Sequence, residues 1–213
     1  MKNNSKFLIF LFFFVVLIIH NKVYANEIIF STSDLNITNN GNIINAGTGS
    51  AYSKSSNIKI DGQSFKFDKS SSILIANKAK VILPEKNVEI NADKLIYDQK
   101  ISLIRAIGNV EINDLTNIIT FKSKEVSYSK IDETIFSNVR STFFDKALNN
   151  FTSEKFTYYL NDSLLKISKA NILDVQKNRY YVEKAYINLL TNKLIGKDIS
   201  LDFNNLAENN DPR

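Results

Sequence analysis

Val88-Glu89-Ile90-Asn91-Ala92-Asp93-Lys94-Leu95-Ile96-Tyr97 is the stretch that decides the fold of this chain. Its apolar residues fall two apart, at Val88, Ile90 and Ala92 and again at Leu95 and Tyr97. A spacing of two puts one face of a β-strand on a core. Ala92 and Leu95 are three apart, however, so a regular strand would turn Leu95 and Tyr97 outward. One extra residue near Asp93, a β-bulge or tight corner, restores the phase. The small side chain of Ala92 suits such a bend.

The same ten-residue pattern recurs outward in both directions. Windows starting at 28, 58, 119, 149 and 178 read IIFSTSDLNI, IKIDGQSFKF, ITFKSKEVSY, NNFTSEKFTY and NRYYVEKAYI. With the window at 88 they make six repeats of about 30 residues. Each repeat continues past a polar turn, such as Tyr97-Asp98-Gln99-Lys100, into a second half, such as Ile101 to Ile112. Each repeat therefore reads as strand, turn, strand. The expectation is an all-β chain of about a dozen antiparallel strands with no internal linker. The abundance of Ile, Thr, Val, Tyr and Phe supports sheet over helix.

The ends differ from the middle. Residues 1–25 combine Lys2 and Lys6, the apolar run Phe7 to Ile19, and Val23-Tyr24-Ala25, which is the pattern of a secretory signal peptide. Thirteen apolar residues span about 20 Å as a helix, short of a ~30 Å bilayer core. The chain has 27 basic and 22 acidic residues, but three of the lysines lie in this segment. Without it the balance falls to +2, and no basic patch with interleaved aromatics marks a nucleic-acid partner. There is no Cys, and the one His, His20, lies within the signal. That leaves no thiolate or imidazole for a metal, and no catalytic residues or cofactor are expected. Residues 26–203 form the repeated domain, and 204–213 form a polar tail.

Ile90-Asn91-Ala92-Asp93-Lys94-Leu95-Ile96-Tyr97-Asp98, followed by Ala106-Ile107-Gly108-Asn109-Val110-Glu111-Ile112, resembles the signature of the OstA-like domain of lipopolysaccharide-transport proteins. The closing Leu201-Asp202-Phe203 and Asn209-Asn210-Asp211-Pro212-Arg213 resembles more narrowly the LptD family of outer-membrane LPS-assembly proteins. The resemblance implies an OstA-like β-jellyroll in the periplasm that shields acyl chains in an apolar groove. Such proteins continue into an outer-membrane barrel, which is expected to follow the tail here, and some carry cysteines that this chain lacks.

On that reading the candidate groove residues are Ile60, Phe65, Phe67, Ile90, Leu95, Tyr97, Phe121, Val126, Tyr128, Phe156 and Tyr158. Read from the residues alone, the same set is an ordinary core. The implied partners are lipopolysaccharide, a periplasmic bridge protein of the same fold, and, with a barrel, an outer-membrane lipoprotein. The bridge protein would add to the N-terminal edge strand at Ile29, Leu35 and Ile37. Two alternatives share the pattern: a free-standing or membrane-anchored bridge component, and a β-repeat adhesin or polysaccharide-binding protein with a closed dry core. Asp93-Lys94 is too close to the bulge to form a catalytic pair. Arg105 is read as a solvated edge residue, with a lipid phosphate as the less favoured partner.

Overall fold

The computed structural model describes residues 28–147 and 149–203. The signal-peptide segment 1–25 and the tail 204–213 lie outside the described residues. The described residues form sixteen strands: β1 Ile28–Thr32, β2 Leu35–Thr38, β3 Ile43–Ala46, β4 Gly49–Ser53, β5 Ile58–Gly62, β6 Ser64–Asp68, β7 Ile73–Leu83, β8 Val88–Asp98, β9 Leu103–Asp114, β10 Ile119–Ser129, β11 Thr134–Ser137, β12 Ser141–Phe144, β13 Asn150–Tyr159, β14 Leu164–Leu173, β15 Arg179–Asn188 and β16 Lys193–Asp202. One 3₁₀ turn, Pro84–Lys86, joins β7 to β8. All pairings are antiparallel, and from β7 to β10 and β13 to β16 consecutive strands are neighbours.

Sixteen strands and the expected dozen describe one architecture. The short strands are halves of longer ones. β1 and β2, β3 and β4, β5 and β6, and β11 and β12 are each separated by one to three residues. β7 shows how the halves are used: Ile73 to Asn77 pairs with β6, whereas Lys80 to Ile82 pairs with β5. Every full-length strand thus belongs to two layers. One contains β2, β3, β6 and β11, the other β1, β4, β5 and β12, and a corner joins them in mid-strand.

Cross-layer contacts prove that the corner is sharp. Phe121 in β10 stacks on Phe156 of β13 at 5.1 Å, although its own layer pairs it with Phe143. The Tyr97 hydroxyl at the end of β8 bonds Ser56 Oγ at 2.6 Å, and Ser56 precedes β5, which pairs with the end of β7 that lies beside the start of β8. Nine residues of flat strand would separate these ends by roughly 30 Å.

The corner carries the expected slip. Pairing of β8 with β9 jumps from Asn91↔Glu111 to Lys94↔Ile107, and β10 shifts between Ser123 and Glu125. As a result Val88, Ile90, Ala92, Leu95 and Tyr97 are all buried on one continuous inner face. The signature residues build this corner. Gly108 has φ +77°, and a Cβ there would stand 2.7 Å from Asp93 Oδ2. Only glycine accepts both that backbone and that approach at no steric cost. Asp93 in turn accepts hydrogen bonds from Asn109 Nδ2 at 2.7 Å and from Lys78 Nζ. Those bonds, Lys78 foremost, hold the Asp93 carboxyl below its ordinary range. Its partner is Lys78 and not the adjacent Lys94.

The strand-ending turns are built by Asx chemistry. Asp68, Asp98 and Asp114 each accept a bond from the backbone N–H two residues on, at 2.9, 2.9 and 2.8 Å. Asn188 does the same for Leu190 at 3.1 Å. The turns then exit through a left-handed residue, Ser72, Ser102, Ile118 and Asn192 respectively.

Candidate functional site

The inner faces of the two layers enclose the apolar interior. All eleven candidate groove residues lie there, and none is more than 5% exposed. The structure therefore brings the whole set together, filled with protein side chains. Its centre is aromatic: Phe121 lies against Phe143, Phe156 and Tyr158, and Phe143 stacks on Phe151 at 4.8 Å. Such pairs add about 0.5–1.5 kcal/mol each beyond the area they bury.

Tyr128 and Tyr158, each the last residue of its ten-residue window, place their rings in this core and their hydroxyls at the rim. Tyr158 donates to Asp114 and accepts from Asn117 Nδ2 at 2.7 Å. Tyr128 donates to Glu133 Oε2 at 3.1 Å. Burial, reinforced by these carboxylates, pushes both hydroxyls far above the ordinary phenol range. They remain protonated donors at any working pH, which suits a structural role and gives no acid–base chemistry. Glu133 also accepts from Lys130 Nζ at 2.6 Å and is mostly buried, so it is more enclosed than a turn acid need be.

The C-terminal end is different. A cavity of about 870 Å³ opens between the layers there. Phe143, Phe151, Leu165, Ile172, Val182, Ile187, Leu189, Leu190, Leu194 and Ile199 form its apolar wall, and Asp145, Lys146, Asp174 and Asn192 sit at its rim. β16 explains the opening. Its inner residues Leu194, Gly196, Ile199 and Leu201 pair with Ile187, Ala185, Val182 and Tyr180, so the apolar face continues onto it. No described strand lies beyond β16, and Leu194, Ile199 and Leu201 are 39%, 40% and 50% exposed. That volume is in the range of pockets that take a substantial apolar ligand.

These cavity residues were not among the sequence candidates. Their signal was present: Leu194, Ile199 and Leu201 continue the alternation of the sixth repeat. At the other end, β1 pairs only with β4 and β2 only with β3 among the described strands. Ile29, Leu35 and Ile37 accordingly lie on free edge strands and are exposed. Arg105 sits on the outer face, 2.7 Å from Glu125 Oε1, with both side chains well exposed. Its partner is a cross-strand carboxylate.

No family model and no curated protein matches the sequence. Among solved structures, the chain is similar to LptH, the LptA-homologous periplasmic component of the lipopolysaccharide transport device from Pseudomonas aeruginosa, at 13% identity and a TM-score of 0.49, over 56% of this chain and 96% of that one.

Proposed function

We propose that this chain is a periplasmic lipid-conduit domain that carries lipopolysaccharide acyl chains in its apolar interior and passes them on passively. The observation that carries this reading is the open C-terminal end, where a cavity of about 870 Å³ continues the inner apolar face. Each CH₂ removed from water is worth about 0.8 kcal/mol, so an acyl chain gains substantially by entering it. Transfer between two such interiors is near-neutral, and the direction of flow must come from a partner.

The position of the free edges favours a module that joins others in series. The N-terminal edge at Ile29, Leu35 and Ile37 is offered to a bridge protein of the same fold by strand addition. A role as the periplasmic part of an LptD-type protein, with a barrel and an outer-membrane lipoprotein beyond it, rests on the resemblance of residues 201–213. The free-standing bridge role fits the two edges equally well.

The test is photo-cross-linking with lipopolysaccharide. A photoreactive residue at Leu165 or Ile199 gives a lipid adduct, and one at the outward Lys124 does not. Adducts at Phe67, Tyr97 or Phe121 would show how far the chains advance. A folded protein that forms no adduct at any inner position overturns the conduit reading.

A further inference from the structure

The two layers meet at the corners on one side and face each other across a mouth on the other. The mouth is lined by strand-ending turns, and a row of polar side chains crosses it. Tyr97 OH reaches Ser56 Oγ at 2.6 Å. Lys86 Nζ reaches Asn161 Oδ1 at 2.6 Å, and Lys130 stands 3.9 Å from Glu85. Asn117 Nδ2 reaches Ser163 Oγ at 3.2 Å, and Tyr158 reaches Asp114. The members of each pair come from opposite layers and are 41 or more residues apart. Between the 83–86 turn and Tyr128 and Lys130 only about 10 Å³ of space remains. Beyond Asn117 the mouth gapes into the cavity, and there Asp145 and Asp174 bind within their own turns, to Asn149 and Asn178.

We infer that this row is a latch: the layers part along the mouth by breaking these bonds, hinging on the mid-strand corners. Every crossing bond is made by side chains, whereas the backbone ladders run within each layer and survive opening. Such bonds exchange readily for bonds to water, with a small net cost. The closed state also buries Gln99 at 4% exposure, on the inner face shared with Leu95 and Tyr97. Its amide Oε1 and Nε2 have no partner among the described residues, a penalty that opening relieves. The latch starts at the rim of the C-terminal cavity, so opening extends that cavity inward one repeat at a time. What then enters rests on the conduit reading; the opening itself does not.

The chain has no cysteine, so paired labels can be placed at will. Nitroxides at Thr116→Cys and Asp162→Cys, exposed turn residues on opposite sides of the mouth, report its width by electron–electron double resonance. Asn87→Cys with Thr116→Cys, both on one side, is the control. In the full chain, Tyr158→Phe combined with Asn117→Ala produces a longer cross-mouth population and leaves the control distance unchanged. Tyr158→Phe alone keeps the ring in the core and shifts the distribution in the same direction. An unchanged cross-mouth distribution in both variants overturns the latch. Tying residues 116 and 162 with a short thiol–thiol linker confines photoreactive stearic acid to the C-terminal cavity and lowers its adducts on the inner residues Phe67 and Tyr97 about tenfold. Adducts on those residues that are equal with and without the tie also overturn it. Absence of any uptake overturns the conduit reading, and the lipid-free distances still decide the latch.

Discussion

The middle of this sandwich and its C-terminal end are built from the same alternation and come out oppositely. Phe121, in β10, is fully buried beneath rings from both layers. Ile199, in β16, occupies an equivalent inner position beside Val182 and is 40% exposed. The difference is neighbours. β10 has a strand on either side and a layer opposite, whereas among the described strands β16 is paired only with β15. Alternation determines which face is apolar; it does not determine whether that face is covered. Among the described residues the interior is closed in the middle and uncovered at the C-terminal end.

The strongest way to test that contrast is to delete the central ring. Phe121→Ala is expected to cost about 3–5 kcal/mol in chemical denaturation, the range for a buried aromatic. A loss below about 1 kcal/mol would mean that the middle is as loosely packed as the end. Next is the corner that holds the layers together. Gly108→Ala combines a left-handed backbone with a clash against Asp93, and about 2 kcal/mol of destabilisation is expected from these two mechanisms. The same change at Gly41, which has positive φ and open space, costs about 1 kcal/mol by the backbone term alone. Equal effects at the two glycines would remove the corner's special status.

Tyr158→Phe leaves the core filled and removes the hydroxyl from Asp114 and Asn117. The expected loss is about 1–2 kcal/mol below pH 10 and shrinks as pH rises past the ordinary phenol value of 10.0, because the unfolded wild type then ionises while the folded hydroxyl stays protonated. Asp93→Asn acts through acid titration. The folded carboxyl lies below its ordinary 3.8, so its contribution is present above that value and is lost as pH falls through the lower folded pKa. The variant should therefore show a flatter acid limb than the wild type when stability is followed from pH 6 to pH 2. The smallest effect belongs to the open end: Ile199→Ala is expected to cost under about 1 kcal/mol. A loss like that of Phe121→Ala would mean that the end is closed in solution.

The repeat, the paired strands and the phase slip were all legible in the sequence. Ala92 to Leu95 carries the slip in its spacing, and the bulge lies where that spacing places it. The interior residues were legible too, since all eleven share the buried face. Harder to read was how the corner is held. Gly108 and Asp93 are 15 residues apart, and Lys78 comes from a third strand, so no local pattern links them. The cavity escaped for a similar reason. Leu194, Ile199 and Leu201 read like any inner strand residues until the described sheet is seen to end at β16. β16 also carries Lys193, Lys197, Asp198 and Asp202, charges that keep a free edge from indiscriminate pairing.

By itself the sequence determined the secondary structure and the identity of the apolar face, because period-two alternation and turn chemistry act within a few residues. The tertiary structure alone decided that the face folds on itself into two layers, that side chains 41 to 75 residues apart close its mouth, and that β16 has β15 as its one neighbour among the described strands. Those outcomes depend on which surfaces meet after the strands have paired, and a linear pattern carries no term for that.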